Sequence, residues 1–113
     1  MYAIVYVTTG DMEKAKTISR MMVEEGLAAC ANLYPIHSIY RWKGKVESND
    51  EVSIMFKTKE MLVDMLVSRV KKVHDYELPC IVSWKIGKGS QEYMDWIGAS
   101  VRKVPSLGRR PSP

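Results

Sequence analysis

The sequence predicts an α+β domain of element order βαββαβ with one further helix at the C-terminus. Three observations predict it. Apolar residues recur at helical spacing in two stretches, residues 12–22 and 62–73. Four other stretches, residues 2–7, 27–43, 46–57 and 80–86, are rich in β-branched and aromatic residues and bounded by Gly, Pro, Asn or Asp. The connections are short, so right-handed crossovers place both main helices on one face of a single antiparallel sheet.

Residues 2–7, Tyr-Ala-Ile-Val-Tyr-Val, form a continuous apolar run that reads as a buried central strand. Thr8-Thr9-Gly10 ends it, and Asp11 can cap the first helix, whose stripe is Met12, Ala15, Ile18 and Met22. Gly26 is placed for a left-handed C-cap. The second strand begins at Leu27, is interrupted at Pro35 and resumes at Ile36, which suits an edge strand. Lys43-Gly44-Lys45 signals a tight turn. The return strand starts at Val46, passes an irregular patch at Ser48-Asn49-Asp50, and finishes over residues 51–57 with Val52, Ile54 and Phe56 on one face.

Thr58 is expected to cap the second helix, which buries Leu62, Met65, Leu66, Val70 and Val73 and carries Lys71, Lys72 and His74 at its C-terminal end. Pro79 opens the fourth strand, again an edge, and Ser90 caps a helix bearing Met94, Trp96, Ile97 and Val101. This order is the ferredoxin-like arrangement, with the first and third strands central and the second and fourth at the edges. The domain is expected to span residues 1–104. Residues 105–113, mostly Pro, Ser, Gly and Arg, are expected to form a disordered tail.

The 113 residues are one domain's worth, and the hydrophobic share of 46% and charged share of 27% are ordinary for a globular fold. No apolar run approaches the length of a membrane helix, and residues 2–7 lack the flanks of a signal peptide. The net charge of +4 resides in Arg102, Lys103, Arg109 and Arg110, so the rest of the chain is balanced. A nucleic-acid surface needs basic groups clustered on the fold, and none is expected here. Two cysteines and no export signal point to reduced thiols in the cytoplasm.

Two helices cover only one face of a four-stranded sheet. The edge strands nevertheless carry Ile36, Tyr40 and Trp42, and Val82, Trp84 and Ile86. One short terminal helix cannot cover a sheet about 20 Å on a side. Burial against further copies of the chain is therefore expected, giving a homo-oligomer.

Serine-hydrolase elbows, phosphate-binding loops, dinucleotide fingerprints and zinc-protease motifs are all absent as linear signatures, so no enzymatic activity is expected. The densest chemistry is His74-Asp75-Tyr76-Glu77, with Cys80 just beyond. Imidazole and thiolate suit copper or zinc, although the spacing is no complete metal motif. Cys30 and Cys80 fall on opposite edge strands, so they can approach only across a subunit interface. The methionines at 12, 22, 61 and 65 sit on helix stripes, where core filling explains them.

Cys30-Ala31-Asn32, Pro35, the run from Ser38 to Lys45, Glu51, Lys57-Thr58, His74-x-Tyr76-Glu77-x-Pro79 and Tyr93-x-x-Trp96 together resemble the CutA family of divalent-cation tolerance proteins. The resemblance runs from Tyr2 to about Val101. It implies a tight homotrimer similar in architecture to the PII signalling proteins, and a cytoplasmic role in tolerance to copper and other divalent metals. On that reading Cys30, His74, Glu77 and Cys80 are the candidate metal ligands. A PII-like alternative is a small anionic ligand held between subunits by Tyr40, Trp42, Lys57 and Tyr76. A third is a trimeric scaffold. Two positions depart from the family pattern: Asp75 stands where proline is usual, and Cys80 where glutamate is usual.

Overall fold

A computed structural model describes residues 1–103, and the expected tail at 105–113 lies outside them. The elements are β1 (Tyr2–Thr9), α1 (Met12–Glu24), β2 (Cys30–Trp42), β3 (Lys45–Lys59), a 3-10 turn (Glu60–Leu62), α2 (Val63–Val73), β4 (Ile81–Lys85) and α3 (Gln91–Ser100). The sheet order is β2-β3-β1-β4 with every neighbour antiparallel, so β1 and β3 are central and the proline-bearing strands lie at the edges. Val5 and Val7 of β1 and Val52, Ile54 and Phe56 of β3 form the floor of the core. Ala15, Ile18 and Met22 of α1 and Leu66 and Val70 of α2 pack onto it. Alternation along β1 sends Tyr2, Ile4 and Tyr6 to the opposite face.

The helix signals operate as their chemistry requires. Asp11 accepts the Lys14 N–H at 2.8 Å and Ser90 accepts the Tyr93 N–H at 3.3 Å. Gly26 takes φ +75°, and its N–H returns to the Val23 carbonyl. Thr58 behaves differently from the expectation. It lies inside β3, fully buried, with its hydroxyl donating to the Leu27 carbonyl at 2.7 Å. The chain enters α2 through the 3-10 turn, so Leu62 is buried before the helix proper begins, while Met61, in that turn, and Met65 face solvent instead of filling the core.

β3 is longer than expected, and β2, which begins at Cys30 rather than at Leu27, is more regular. Pro35 does not interrupt β2. It pairs with Val52 in an unbroken ladder, because a proline whose ring nitrogen faces the open edge deletes no ladder bond. Residues 48–50 are likewise strand, paired with Ile39, Ser38 and His37. Their polar side chains find cross-strand partners: Asp50 and Ser48 bond to His37, and Asn49 donates to the Tyr40 hydroxyl. Lys43 and Gly44 both take positive φ, 50° and 82°, as a two-residue type I′ hairpin turn demands.

β1 pairs with β3 only from Val52 onward. Residues 36–42 and 45–51 therefore project from the sheet as a two-stranded arm, about 20 Å long at ~3.3 Å per residue. An isolated two-stranded ribbon is marginal in water, and this one exposes Ile39 at 71% and Val46 at 64%. α3 covers one end of the open sheet face through Met94 and Ile97, but Tyr34, Val82 and Trp84 remain exposed there.

Glu25, at the end of α1, receives Arg69 of α2 in a two-pronged contact, with both carboxylate oxygens bonded at 2.9–3.2 Å. Those hydrogen bonds hold the Glu25 carboxyl below its usual value of 4.5. A depressed folded-state value means that the pair's contribution is fully present above the usual value of 4.5 and is lost as pH falls through the lower folded-state value. Arg69→Met is therefore expected to flatten the acid limb of stability against pH, read as urea midpoints at stepped pH. An unchanged acid limb would refute this.

Candidate functional site

His74 ends α2, its backbone N–H bonded to the Val70 carbonyl. The ring then turns inward, leaving 1% of its side chain exposed. Nε2 lies 2.7 Å from the Thr8 carbonyl, which can only accept, so Nε2 carries the proton. Nδ1 accepts the Tyr76 N–H at 3.1 Å. The imidazole is thus neutral with both nitrogens in use, and it fastens the segment after α2 to the end of β1.

That fastening places Tyr76 under the arm. Its hydroxyl donates to Glu51 Oε2 at 2.7 Å, at the point where β3 leaves the sheet. Burial, followed by the adjoining Glu51 carboxylate, pushes the Tyr76 hydroxyl well above its usual value, so it remains a donor. Glu77 continues along the arm, 3.8 Å from Lys43. Asp75 pairs with Lys14 of α1 at 2.5 Å. Residues 74–77 therefore form a strut from the helical layer to the arm, and the aspartate at position 75 ties the strut to α1. Thr8 and Thr9 are the last residues of β1, and the buried Thr9 hydroxyl donates to the Asp11 and Val52 carbonyls.

The four candidate metal ligands do not converge within one chain. Cys30 begins β2 and Cys80 precedes β4, at opposite edges. Cys30 Sγ lies 3.5 Å from the Tyr93 hydroxyl. Cys80 is exposed as a residue, but desolvation of its thiol pushes its pKa up. His74 has no free nitrogen, and Glu77 faces Lys43. Among the described residues no three His, Cys, Asp or Glu side chains form a metal-binding group. The donor set of a single chain therefore does not fit a bound metal.

The four candidate cleft residues are similarly dispersed. Lys57 lies 5.4 Å over the Tyr93 ring and donates to its hydroxyl at 3.4 Å. Tyr76 is committed to Glu51, while Tyr40 and Trp42 ride on the arm. Sequence reasoning missed Glu51 as the buried partner of Tyr76, because residues 25 positions apart share no local pattern. It also missed the cross-strand set around His37. The turn at Lys43-Gly44 was the available signal, since counting back from it sets His37 opposite Asp50.

Comparison with known proteins agrees with this architecture. The family profile described as CutA1 divalent ion tolerance protein matches residues 3–100. The divalent-cation tolerance protein CutA of Thermus thermophilus is 42% identical over 98 residues, covering 86% of this chain and 95% of its own. That of Archaeoglobus fulgidus is 36% identical over 101 residues, covering 89% and 99%. The solved A. fulgidus structure, described as periplasmic, superposes with a TM-score of 0.88 at 35% identity, covering 90% of this chain and all of that one. A chloroplastic CutA of Arabidopsis thaliana is 38% identical over 100 residues, covering 88% of this chain and 55% of its own length. The resemblance seen in the sequence motifs thus extends to the whole fold, and the chain belongs to the CutA1 divalent ion tolerance family.

Proposed function

We propose that the chain acts as a cytoplasmic homotrimer in the response to divalent metals, copper among them, and that Cys30 and Cys80 hold the metal where two subunits meet. The arm carries this reading: a projecting ribbon with exposed Ile39 and Val46 needs a partner surface. In a closed ring of like subunits the β2 edge of one copy meets a different edge of the next. That arrangement would bring together two thiols that the sheet keeps apart within a chain. Placement in the cytoplasm rests on Cys30 and Cys80 forming no disulfide within the chain. Among the described residues no helix is long and apolar enough to cross a membrane. The reading as a PII-like sensor of a small anion has less support, because Lys57 and Tyr76 already have partners.

The test is anaerobic titration of the tag-free protein with Cu(I), Cu(II) and Zn(II) against a competing chelator. One chelator-resistant ion per intersubunit contact is expected. It should be lost in Cys30→Ser and in Cys80→Ser and kept in Glu77→Gln. Weak or fractional binding of all three ions, or binding indifferent to both cysteines, would overturn the metal assignment.

A further inference from the structure

The helical layer carries a cleft that the metal-response reading does not use. It lies between α1 and the C-terminal end of α2, with a volume of ≈ 320 Å³. Ile18, Met21 and Val73 make its apolar floor, and the exposed Glu13, Lys14, Thr17 and Asp75 stand at its mouth. None of the residues that line it belongs to β2, β3, β4 or α3. The cleft thus stands clear of the arm and of the open sheet face, the surfaces that the proposed trimer would bury.

Local structure explains how its two halves meet. Positions three and four apart neighbour one another on a helix, so α1 turns residues 14, 17, 18 and 21 to one side. The buried His74 ring, fastened to the Thr8 carbonyl, directs the following residue back towards α1, and Asp75 Oδ2 meets Lys14 Nζ at 2.5 Å. Both side chains of that pair stay half-exposed, so their charges are open to a ligand. An ammonium carries three donors, and Lys14 spends one of them on Asp75. Asp75 Oδ1 lies 3.7 Å from His74 Nδ1, which holds no proton, so it takes no bond from the ring. Glu13 has a loose contact with Lys16, 4.0 Å away. The Thr17 hydroxyl donates to the Glu13 carbonyl and keeps its lone pairs for another donor. The mouth therefore presents one ammonium beside two carboxylates and a hydroxyl, above an apolar floor.

We propose that this cleft binds a small apolar α-amino acid such as leucine. The ligand carboxylate accepts from Lys14, and the ligand ammonium donates to Asp75, Glu13 and the Thr17 hydroxyl. The ligand side chain covers Met21 and Val73, which the chain alone leaves only partly buried. Charge complementarity selects a zwitterion. A simple amine would leave Lys14 without its second partner, and a simple carboxylic acid would meet two charges of its own sign. The volume lies at the small end of ligand cavities, which excludes nucleotides. Asp75 stands where the family pattern has proline, so the acidic half of the mouth belongs to this chain. Water screens the exposed charges, and binding is weak, with a Kd on the order of 1 mM.

The test is NMR titration of the isotope-labelled, metal-free full chain with L-leucine, isoamylamine and isocaproate. The last two are leucine without its carboxylate and leucine without its ammonium. Shifts with leucine are expected to centre on the backbone amides of Thr17, Met21, Val73 and Asp75. Each analogue should bind about tenfold more weakly than leucine. Lys14→Met should move the preference towards the amine and Asp75→Asn towards the acid, each by about tenfold. Thr17→Trp, at an exposed position, should fill the cleft and abolish the shifts at an unchanged unfolding midpoint. An absence of shifts at ten times the expected Kd would overturn the proposal, as would shifts centred on the sheet or the arm. Equal binding of leucine and either analogue, or leucine binding that survives Thr17→Trp, would also overturn it. Metal plays no part in these readouts, so this proposal and the metal-response reading fail separately.

Discussion

Trp84→Glu is expected to convert the proposed trimer into single chains, read as molar mass by light scattering at micromolar concentration. Trp84 lies on β4 with its ring centroid 6.3 Å from that of Tyr6, on the sheet face that α1 and α2 leave open. It is 45% exposed in the chain by itself, and Val82 beside it is also exposed. Tryptophan anchors at the centre of an interface are commonly worth 2 kcal/mol or more, which is about thirtyfold in each contact. A carboxylate at the same place adds the cost of burying an unpaired charge. The glutamate should do little to the isolated chain, because Trp84 is not part of the buried core. The variant should therefore stay folded while its mass falls from three chains to one. A parent protein that already runs as one chain, or a variant that keeps the parent's mass, would defeat the assembly reading.

Phe56→Ala should have the largest effect on the chain itself, a loss of about 3–5 kcal/mol. Phe56 has no exposed surface, lies between Ala31 on β2 and Val5 on β1, and faces the layer of α1 and α2. No neighbour is placed to fill the cavity, since the floor of a sheet cannot collapse sideways without breaking its ladders. The check is urea unfolding at one fixed protein concentration, because assembly would make the midpoint concentration-dependent. The midpoint should fall sharply while the slope stays constant. A loss below ~1 kcal/mol would show that the core repacks around the gap.

The divergence between sequence reasoning and structure is physical and concentrated in three places. Thr58 carries a perfectly good capping side chain, but β3 continues through it because its partner Ala3 continues the ladder. Residues 48–50 are poor strand formers taken alone. They become strand because the I′ turn sets their register against β2 and supplies His37 and Tyr40 as partners. His74 looked like a ligand because its neighbours in the chain are carboxylates and a thiol. Its actual partners are the Thr8 carbonyl and the Tyr76 N–H, and only packing puts Thr8 there.

Local and periodic information was enough for the rest. The apolar stripes, the caps at Asp11 and Ser90, the left-handed Gly26 and the two edge prolines are short-range signals, and short-range sterics and hydrogen bonds enforce them in any context. By itself, then, the sequence determined the element order, the central and edge strands, most of the core and the family. The tertiary structure decided which polar groups meet. It joined Tyr76 to Glu51, separated Cys30 from Cys80, and set Ser48, His37 and Asp50 in line. The reason is that a hydrogen bond depends on ångström-scale placement of groups distant in sequence, whereas burial depends only on which face of an element a residue occupies.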